Sequence, residues 1–216
     1  MSNEDIELTV AEELSFDPKV DSTAIAVSAD QGVVTLRGTV GSFRQKREAK
    51  QDAERVYGVA SVDNQLQVRI LDEHRRDDAD LRGAVLQALM LDSFIPSTID
   101  ARVDDGWVTL TGTAEWQFER DEAEFIAANV LGVLGVDDQI DLVGPTPSAG
   151  GVEQSIKKAF ERNARLDADQ IAIGSSNGTV TLDGTVSSWA EHDEAVAAAW
   201  AAPGVTDVED LISVEY

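Results

Sequence analysis

The chain has 216 residues, of which 43% are hydrophobic, a composition typical of a folded protein rather than a disordered one. Its 41 acidic and 17 basic residues give a formal net charge of −24. Nucleic acid should therefore be repelled, because its binding needs Lys and Arg to neutralise phosphates. The sequence has no Cys and only two His, which excludes disulfides, thiolate metal sites and cysteine nucleophiles, so we expect no cofactor.

Two further exclusions concern location. No stretch of about 18 apolar residues is present, and the acidic segment 1–5 lacks the basic and apolar parts of a signal peptide. These features predict a cytoplasmic protein. The acidity fits either an ordinary acidic protein or one from a high-salt cytoplasm, where screening relieves self-repulsion.

The first 70 residues predict the order helix, strand, strand, helix, strand. One apolar stripe, Ile6, Val10 and Leu14, indicates the first helix. A short strand at 25–27 and a turn lead into the alternating segment 33–40, whose inward set should face the helices. Gly38 belongs to that set, and we expect it to let a helix come close.

A second helix with small inward residues ends at Gly58, and a third strand carries Leu66 and Val68. The helical crossover predicts that this strand runs parallel to the second. Asn64 has the inward phase of the third strand but is polar, so we interpret it as a turn residue before the strand begins. The same interpretation applies to Asp138 and Asp210, which follow at matching positions.

This pattern occurs three times without gaps. The segment 32–40 returns as 106–114 and as 178–186, at spacings of 74 and 72 residues. A Gly-Val pair follows each copy, and a V-[DE]-[ND] sequence opens each last strand. The hairpins have strong turn signals, Asp105-Gly106 and Asn177-Gly178. The sequence therefore predicts an α+β protein of three tandem αββαβ modules, each a three-stranded mixed sheet with two helices on one face.

Linkers place the module boundaries. The charged segment 72–78 and the Gly/Pro-rich segment 144–151 separate the repeats, which predicts modules at 1–70, 77–143 and 150–216. Each module is close to the lower size limit for independent stability, so we expect neighbouring modules to pack on one another.

The G-x-V-T-L-x-G-T segments, the Gly-Val pairs and the V-[DE]-[ND] strand openings resemble the BON domain, named for bacterial osmotically inducible and nodulation proteins. The resemblance covers almost the whole chain. It implies the αββαβ fold and a role in binding phospholipid surfaces and supporting the envelope under osmotic stress. It supplies no catalytic residues. Many members of the family are exported, whereas this sequence has no recognisable export signal.

Apparent catalytic motifs have structural explanations. The segment 174–178 matches G-x-S-x-G, with Asp183 and His192 following in hydrolase order, but it joins two strands instead of a strand and a helix. Ser155 and Lys158 match S-x-x-K without the companion motifs. His74 and His192 are interpreted as solvated residues. Acidic pairs such as Asp104-Asp105 lack the spacing of a calcium loop, so no metal site is predicted.

Aromatic residues near the start of each second helix are the candidate contact sites. They could fill gaps between modules, meet a protein partner or reach a lipid interface. In repeat one they lie among basic residues. The threonine-rich outer faces of the second strands are a further candidate surface between modules or chains. The candidate partner or lipid contacts are Phe43, Lys46, Arg47, Lys50, Trp116 and Trp189.

Three functions remain open. The leading hypothesis is a non-enzymatic, stress-associated binding or scaffold protein that engages protein partners or itself. The alternative is a peripheral phospholipid-binding protein that supports the envelope under osmotic stress, as the resemblance implies. The third is a small-molecule or Ca²⁺ sensor that uses the acidic turns.

Overall fold

The structure is a computed structural model that describes residues 2–70, 76–144, 151–163 and 170–215. Its elements in chain order are α1 (Asn3–Phe16), a short 3₁₀ turn (Ser22–Ala24), β1 (Ile25–Asp30), β2 (Val33–Val40), α2 (Phe43–Glu54), β3 (Ser61–Val68), α3 (Asp78–Leu91), β4 (Asp100–Asp104), β5 (Trp107–Ala114), α4 (Gln117–Ala128), β6 (Gly135–Leu142), α5 (Gly151–Arg162), β7 (Ile171–Ser176), β8 (Thr179–Val186), α6 (Trp189–Trp200) and β9 (Asp207–Val214).

The strands form three three-stranded sheets in the orders β1-β2-β3, β4-β5-β6 and β7-β8-β9, which confirms the predicted α+β architecture of three modules. In the first and third sheets the outer pairs are antiparallel hairpins, and the crossover pairs are parallel. Matching registers, Val34 opposite Val62 and Val180 opposite Val208, show the repetition at residue level. His74 and most of both predicted linkers lie outside the described residues.

Local sequence explains where the elements begin and turn. Ser2 caps α1 in a capping box with Asp5, and Ser42 caps α2 because its side-chain oxygen accepts a hydrogen bond from the backbone N–H of Gln45. Each hairpin turns through two residues with positive φ, of which Asn177 at 51° and Gly178 at 89° are the third pair. This is the type I′ geometry that matches the twist of antiparallel strands.

The core of repeat one joins both helices to one face of the sheet. The predicted stripe Ile6, Val10 and Leu14 is buried, and it packs against inward residues of β2, β3 and α2. Repeat three has an equivalent core around Ile156 and Phe160. Fully excluding several large aliphatic side chains from water is the main stabilising term, at about 1.5–3 kcal/mol each.

The sequence analysis expected Gly38 to let a helix come close, and this prediction was wrong about which segment approaches the glycine. Gly38 lies on β2 with φ of 131°, but a Cβ there would overlap the carbonyl oxygen of Ala24 at the end of the 3₁₀ turn, not either of the two covering α-helices. Gly184, with φ of 153°, meets the carbonyl of Gln170 in the same way. The glycine is therefore needed where the chain entering the first strand crosses the second strand.

The interpretation of Asn64, Asp138 and Asp210 as turn residues was also wrong. All three lie within strands β3, β6 and β9. Asn64 is satisfied there because its side-chain amide donates to the Lys46 carbonyl at 2.7 Å and its oxygen accepts from the Leu66 amide. A polar residue can occupy this inward-facing position of the strand because its side chain forms hydrogen bonds with backbone groups of the covering helix and of its own strand.

Contacts divide the chain into two compact units. One comprises Met1–Thr111 and Ala123–Gln139, and the other comprises Gly112–Glu122 and Ile140–Tyr216. The second repeat contributes to both units. Among the described residues no helix is long and apolar enough to cross a membrane.

Candidate binding surfaces

The basic candidate residues of repeat one, Lys46, Arg47 and Lys50, lie on α2 and are interleaved with acids. Phe43 opens the helix and is half-buried. Lys50 Nζ lies 2.6 Å from Glu54 Oε1, and Arg47 Nη1 lies 3.6 Å from Glu124 Oε1 of the next repeat. Two of the candidate contact residues of α2 therefore take part in ion pairs, and one of them, Arg47, is directed towards repeat two.

The two candidate tryptophans occupy different structural positions. Trp189 is the first residue of α6 and corresponds to Phe43, whereas Trp116 immediately precedes α4. Both are half-buried. The Trp189 ring meets the His192 ring edge-on, with centroids 4.7 Å apart, and Trp116 lines a groove together with Trp200. The structure thus brings Trp116 together with residues of repeat three that the sequence analysis did not select.

His192 is not the solvated residue that the sequence suggested. Its side chain is 12% exposed, with Nε2 2.8 Å from Asp210 Oδ2 and Nδ1 3.1 Å from Asp193 Oδ1. The hydrogen bond with Asp193 and the charge of Asp210 raise the pKa of His192 against the opposing effect of burial. The helix thus places the His192 imidazole against an acidic residue of the strand beneath it, and neither sequence position alone reveals the pair.

Asp52 is a further residue that sequence reasoning missed. It lies on α2 between Gln51 and Ala53 and is 0% exposed, whereas the corresponding positions of the other repeats hold Ile126 and Ala198. Arg55 Nη2 lies 2.8 Å from Asp52 Oδ1, but neither carboxylate oxygen has a well-aligned hydrogen bond among the described residues. Burial raises the Asp52 pKa to about 6, despite the opposing charge of Arg55.

The apparent hydrolase motif is a hairpin. Ser176 ends β7, and the turn at Asn177-Gly178 leads directly into β8. His192 bonds Asp193 and Asp210, so its ring nitrogens have partners other than a serine. Within the described ranges no group of three or more His, Asp and Glu side chains is placed to hold a metal ion.

Consecutive repeats meet in the same way in each unit. The end of β3, with Arg69 and Ile70, lines a cavity with Gly132 and Leu134 of the following repeat. In the second unit a Cβ at Gly144, beyond β6, would lie 3.8 Å from Gly204 Cα and from Thr206 Cγ2. The end of a third strand therefore approaches the turn between the second helix and third strand of the next repeat.

Comparison with known proteins agrees with this threefold organisation. The model of the family described as "BON domain" matches residues 2–70, 77–144 and 148–216. The chain belongs to the BON domain family. Each BON domain supplies one of the three sheets with its two helices.

A curated relative is "Osmotically-inducible protein Y" of Escherichia coli strain K12, 37% identical over 126 residues. The match covers 56% of this chain and 63% of the relative, so the chain spans less than two thirds of that protein.

Solved structures of CdsD, a structural protein of the type III secretion system of Chlamydia trachomatis, are similar at 15% and 13% identity. Their TM-scores are 0.26 and 0.27, and the matches cover 96% and 100% of this chain and 91% and 100% of theirs.

Proposed function

We propose that this chain is a non-enzymatic, stress-associated scaffold of three BON domains that binds protein, foremost a second copy of itself, through the surface that its own repeats use to meet one another. The E. coli relative is named for osmotic induction, which supports a role under stress. The repeated junction is the observation that carries the binding role.

The junction is a surface that a BON domain offers to another BON domain. In each unit the end of one repeat's third strand lies against the turn before the third strand of the next repeat, which we call the accepting surface. This turn contains Gly132 and Leu134 in the first unit and Gly204 and Thr206 in the second. Both glycines are buried, whereas the corresponding Gly58 of repeat one is only half-buried. The adjoining Tyr57 is 63% exposed. Repeat one thus presents an accepting surface of the kind that the other two repeats use internally.

A head-to-tail contact of this kind is heterologous, so it would add copies in an open chain or close a ring. Weak association is expected at low salt, because a net charge of −24 on each copy opposes approach. Raising the salt concentration should strengthen association, since the Debye length falls to about 3 Å at 1 M.

Sedimentation velocity over a range of protein and salt concentrations tests the proposal. We expect concentration-dependent association that increases with salt and is lost in Tyr57→Glu. Phe94→Glu is the matched control, because Phe94 is an equally exposed aromatic, at 62%, in the loop between α3 and β4. A strictly monomeric chain at high salt, or equal loss in both variants, would rule out self-association through this surface.

Phospholipid binding is the alternative that the family resemblance supports, with α2 of repeat one as the contact. Its cations are largely engaged by Glu48, Glu54 and Glu124, which favours the protein-binding proposal over it. Vesicle sedimentation of the same samples separates the two, because a lipid-binding protein would co-sediment with anionic vesicles more strongly at low salt.

A further inference from the structure

A groove in the second unit lies between the start of α4 and the outer side of α6. It has a volume of about 340 Å³, within the range of small-molecule sites. Three aromatic side chains, Trp116, Phe118 and Trp200, line it, and Asp121 and Asp193 supply carboxylates. Among the described residues that line the groove none is basic. The walls are thus aromatic and the charge is negative.

The first unit holds the corresponding junction, and it is nearly closed. Arg44, Arg47 and Gln51 of α2 face Phe125 and Ala128 of α4 around a cavity of only about 30 Å³. Arg47 Nη1 reaches to 3.6 Å from Glu124 Oε1, and the Arg47 side chain is 31% exposed. At this junction the chain itself places a cation, with its counter-ion, between two helices.

The repeat alignment shows what differs in the second unit. Asp121 stands where repeat one has Arg47, and Phe118 stands where it has Arg44. Val196 of repeat three replaces the counter-ion Glu124, and Trp200 replaces Ala128. Both arginines that line the first junction are therefore replaced, one by an aromatic and one by an acidic residue, and the cavity between the helices is more than ten times larger.

We propose that this groove binds a small organic cation with an alkylated ammonium head, which takes the place of the arginine found at the other junction. A tryptophan face attracts such a cation through its ring quadrupole, by about 0.5–2 kcal/mol depending on desolvation. The carboxylates of Asp121 and Asp193 add charge attraction at the rim, and the net charge of −24 concentrates cations near the surface.

An alkylated ammonium suits these walls better than a metal ion does. Hard metal ions require several oxygen ligands, and the described residues hold no group of three or more metal-ligating side chains. An alkylated ammonium keeps its charge without needing hydrogen-bond acceptors, so aromatic faces can replace its hydration shell.

Titration of the full chain with choline and with tetramethylammonium tests the proposal, followed by calorimetry and by tryptophan fluorescence. Fluorescence is informative because two of the four tryptophans line the groove. The neutral isostere 3,3-dimethylbutan-1-ol is the matched control ligand. We expect both cations to bind, the isostere to bind at least about tenfold more weakly, and added NaCl to weaken the cations only.

Variants locate the site without depending on one fragile substitution. Asp193 is exposed, and Asn retains a side-chain oxygen for the hydrogen bond with His192, so Asp193→Asn should preserve the fold and weaken choline binding about threefold to tenfold. Asp121→Arg with Val196→Glu transplants the ion pair of the first unit and should abolish binding. Trp107→Ala, at an exposed tryptophan outside the groove, should leave the affinity for choline unchanged. Equal binding of the neutral isostere, unchanged affinity in both groove variants, or no binding at tens of millimolar would overturn the proposal.

Discussion

Replacing Asp52 by Asn should stabilise the protein at neutral pH. The carboxyl is 0% exposed and lacks an aligned hydrogen bond among the described residues, so its ionised form is penalised in the folded state. Asn has nearly the same shape without the charge. Arg55, whose side chain is 54% exposed, stays solvated when its partner is removed.

The size of the expected change in unfolding free energy follows from the pKa of Asp52. Burial raises the Asp52 pKa from 3.8 to about 6, and each pKa unit corresponds to about 1.4 kcal/mol. The cost of ionising the buried group therefore approaches about 3 kcal/mol above pH 6 and is absent at pH values below 3.8, where both the folded and the unfolded chain hold the proton. Stability of wild type relative to Asp52→Asn should fall as the pH rises through this window.

Urea unfolding followed by far-UV circular dichroism, from about pH 3.5 to 8, measures the difference. Tryptophan fluorescence would not report repeat one, because all four tryptophans lie at 107 or beyond. Amide hydrogen exchange of α1 and α2, with both proteins at the same pH, locates the change. Asp63→Asn, at an exposed position of β3, is the control and should have little effect. If the Asp52→Asn variant is less stable than wild type at neutral pH, or if the difference does not depend on pH, the charge-burial penalty is refuted.

Three further predictions concern other elements. Gly38→Ala should destabilise by about 2–4 kcal/mol in urea unfolding, whereas Gly41→Ala, whose Cβ would meet only Gln45 Nε2 at 3.7 Å, should be nearly neutral. Any binding to anionic vesicles should be lost in Lys46→Glu with Arg47→Glu and kept in a charge reversal of the exposed lysines on α5; unchanged vesicle binding by the first variant would exclude α2. His192→Gln should cost stability below about pH 6.5 and progressively less as the pH rises through the raised pKa of His192, and a cost that grows with pH would contradict the Asp193 and Asp210 contacts.

The sequence predicted the fold well because its strongest signals are periodic and occur three times. The stripe Ile6, Val10 and Leu14 identified a helix face, and the Asn177-Gly178 turn identified a hairpin. Periodicity reports which face a residue occupies, but it does not report what passes over that face. Gly38 was therefore placed on the correct side of β2 and assigned the wrong neighbour.

The same limit applies to the polar residues within the folded modules. Asp52 lies on a helix whose neighbouring acids Glu48 and Glu54 keep partial exposure, whereas Asp52 is buried in the folded module. The His192–Asp210 contact joins residues 18 positions apart through a crossover. Column-by-column comparison of the repeats carries a usable signal, because Asp52 stands opposite Ile126 and Ala198.

That comparison also indicates where the modules diverged. Positions that build the core keep their chemistry in all three repeats, as Leu36, Leu110 and Leu182 do, because a packed interior tolerates little change. Positions at the junctions do not: Arg47 is matched by Asp121. Since a junction residue contributes little to the core of its own module, its identity can change with little cost in folding free energy. The constant core therefore makes three similar domains, and the variable junctions give each pair of neighbours a different surface, one closed by an ion pair and one open with aromatic walls.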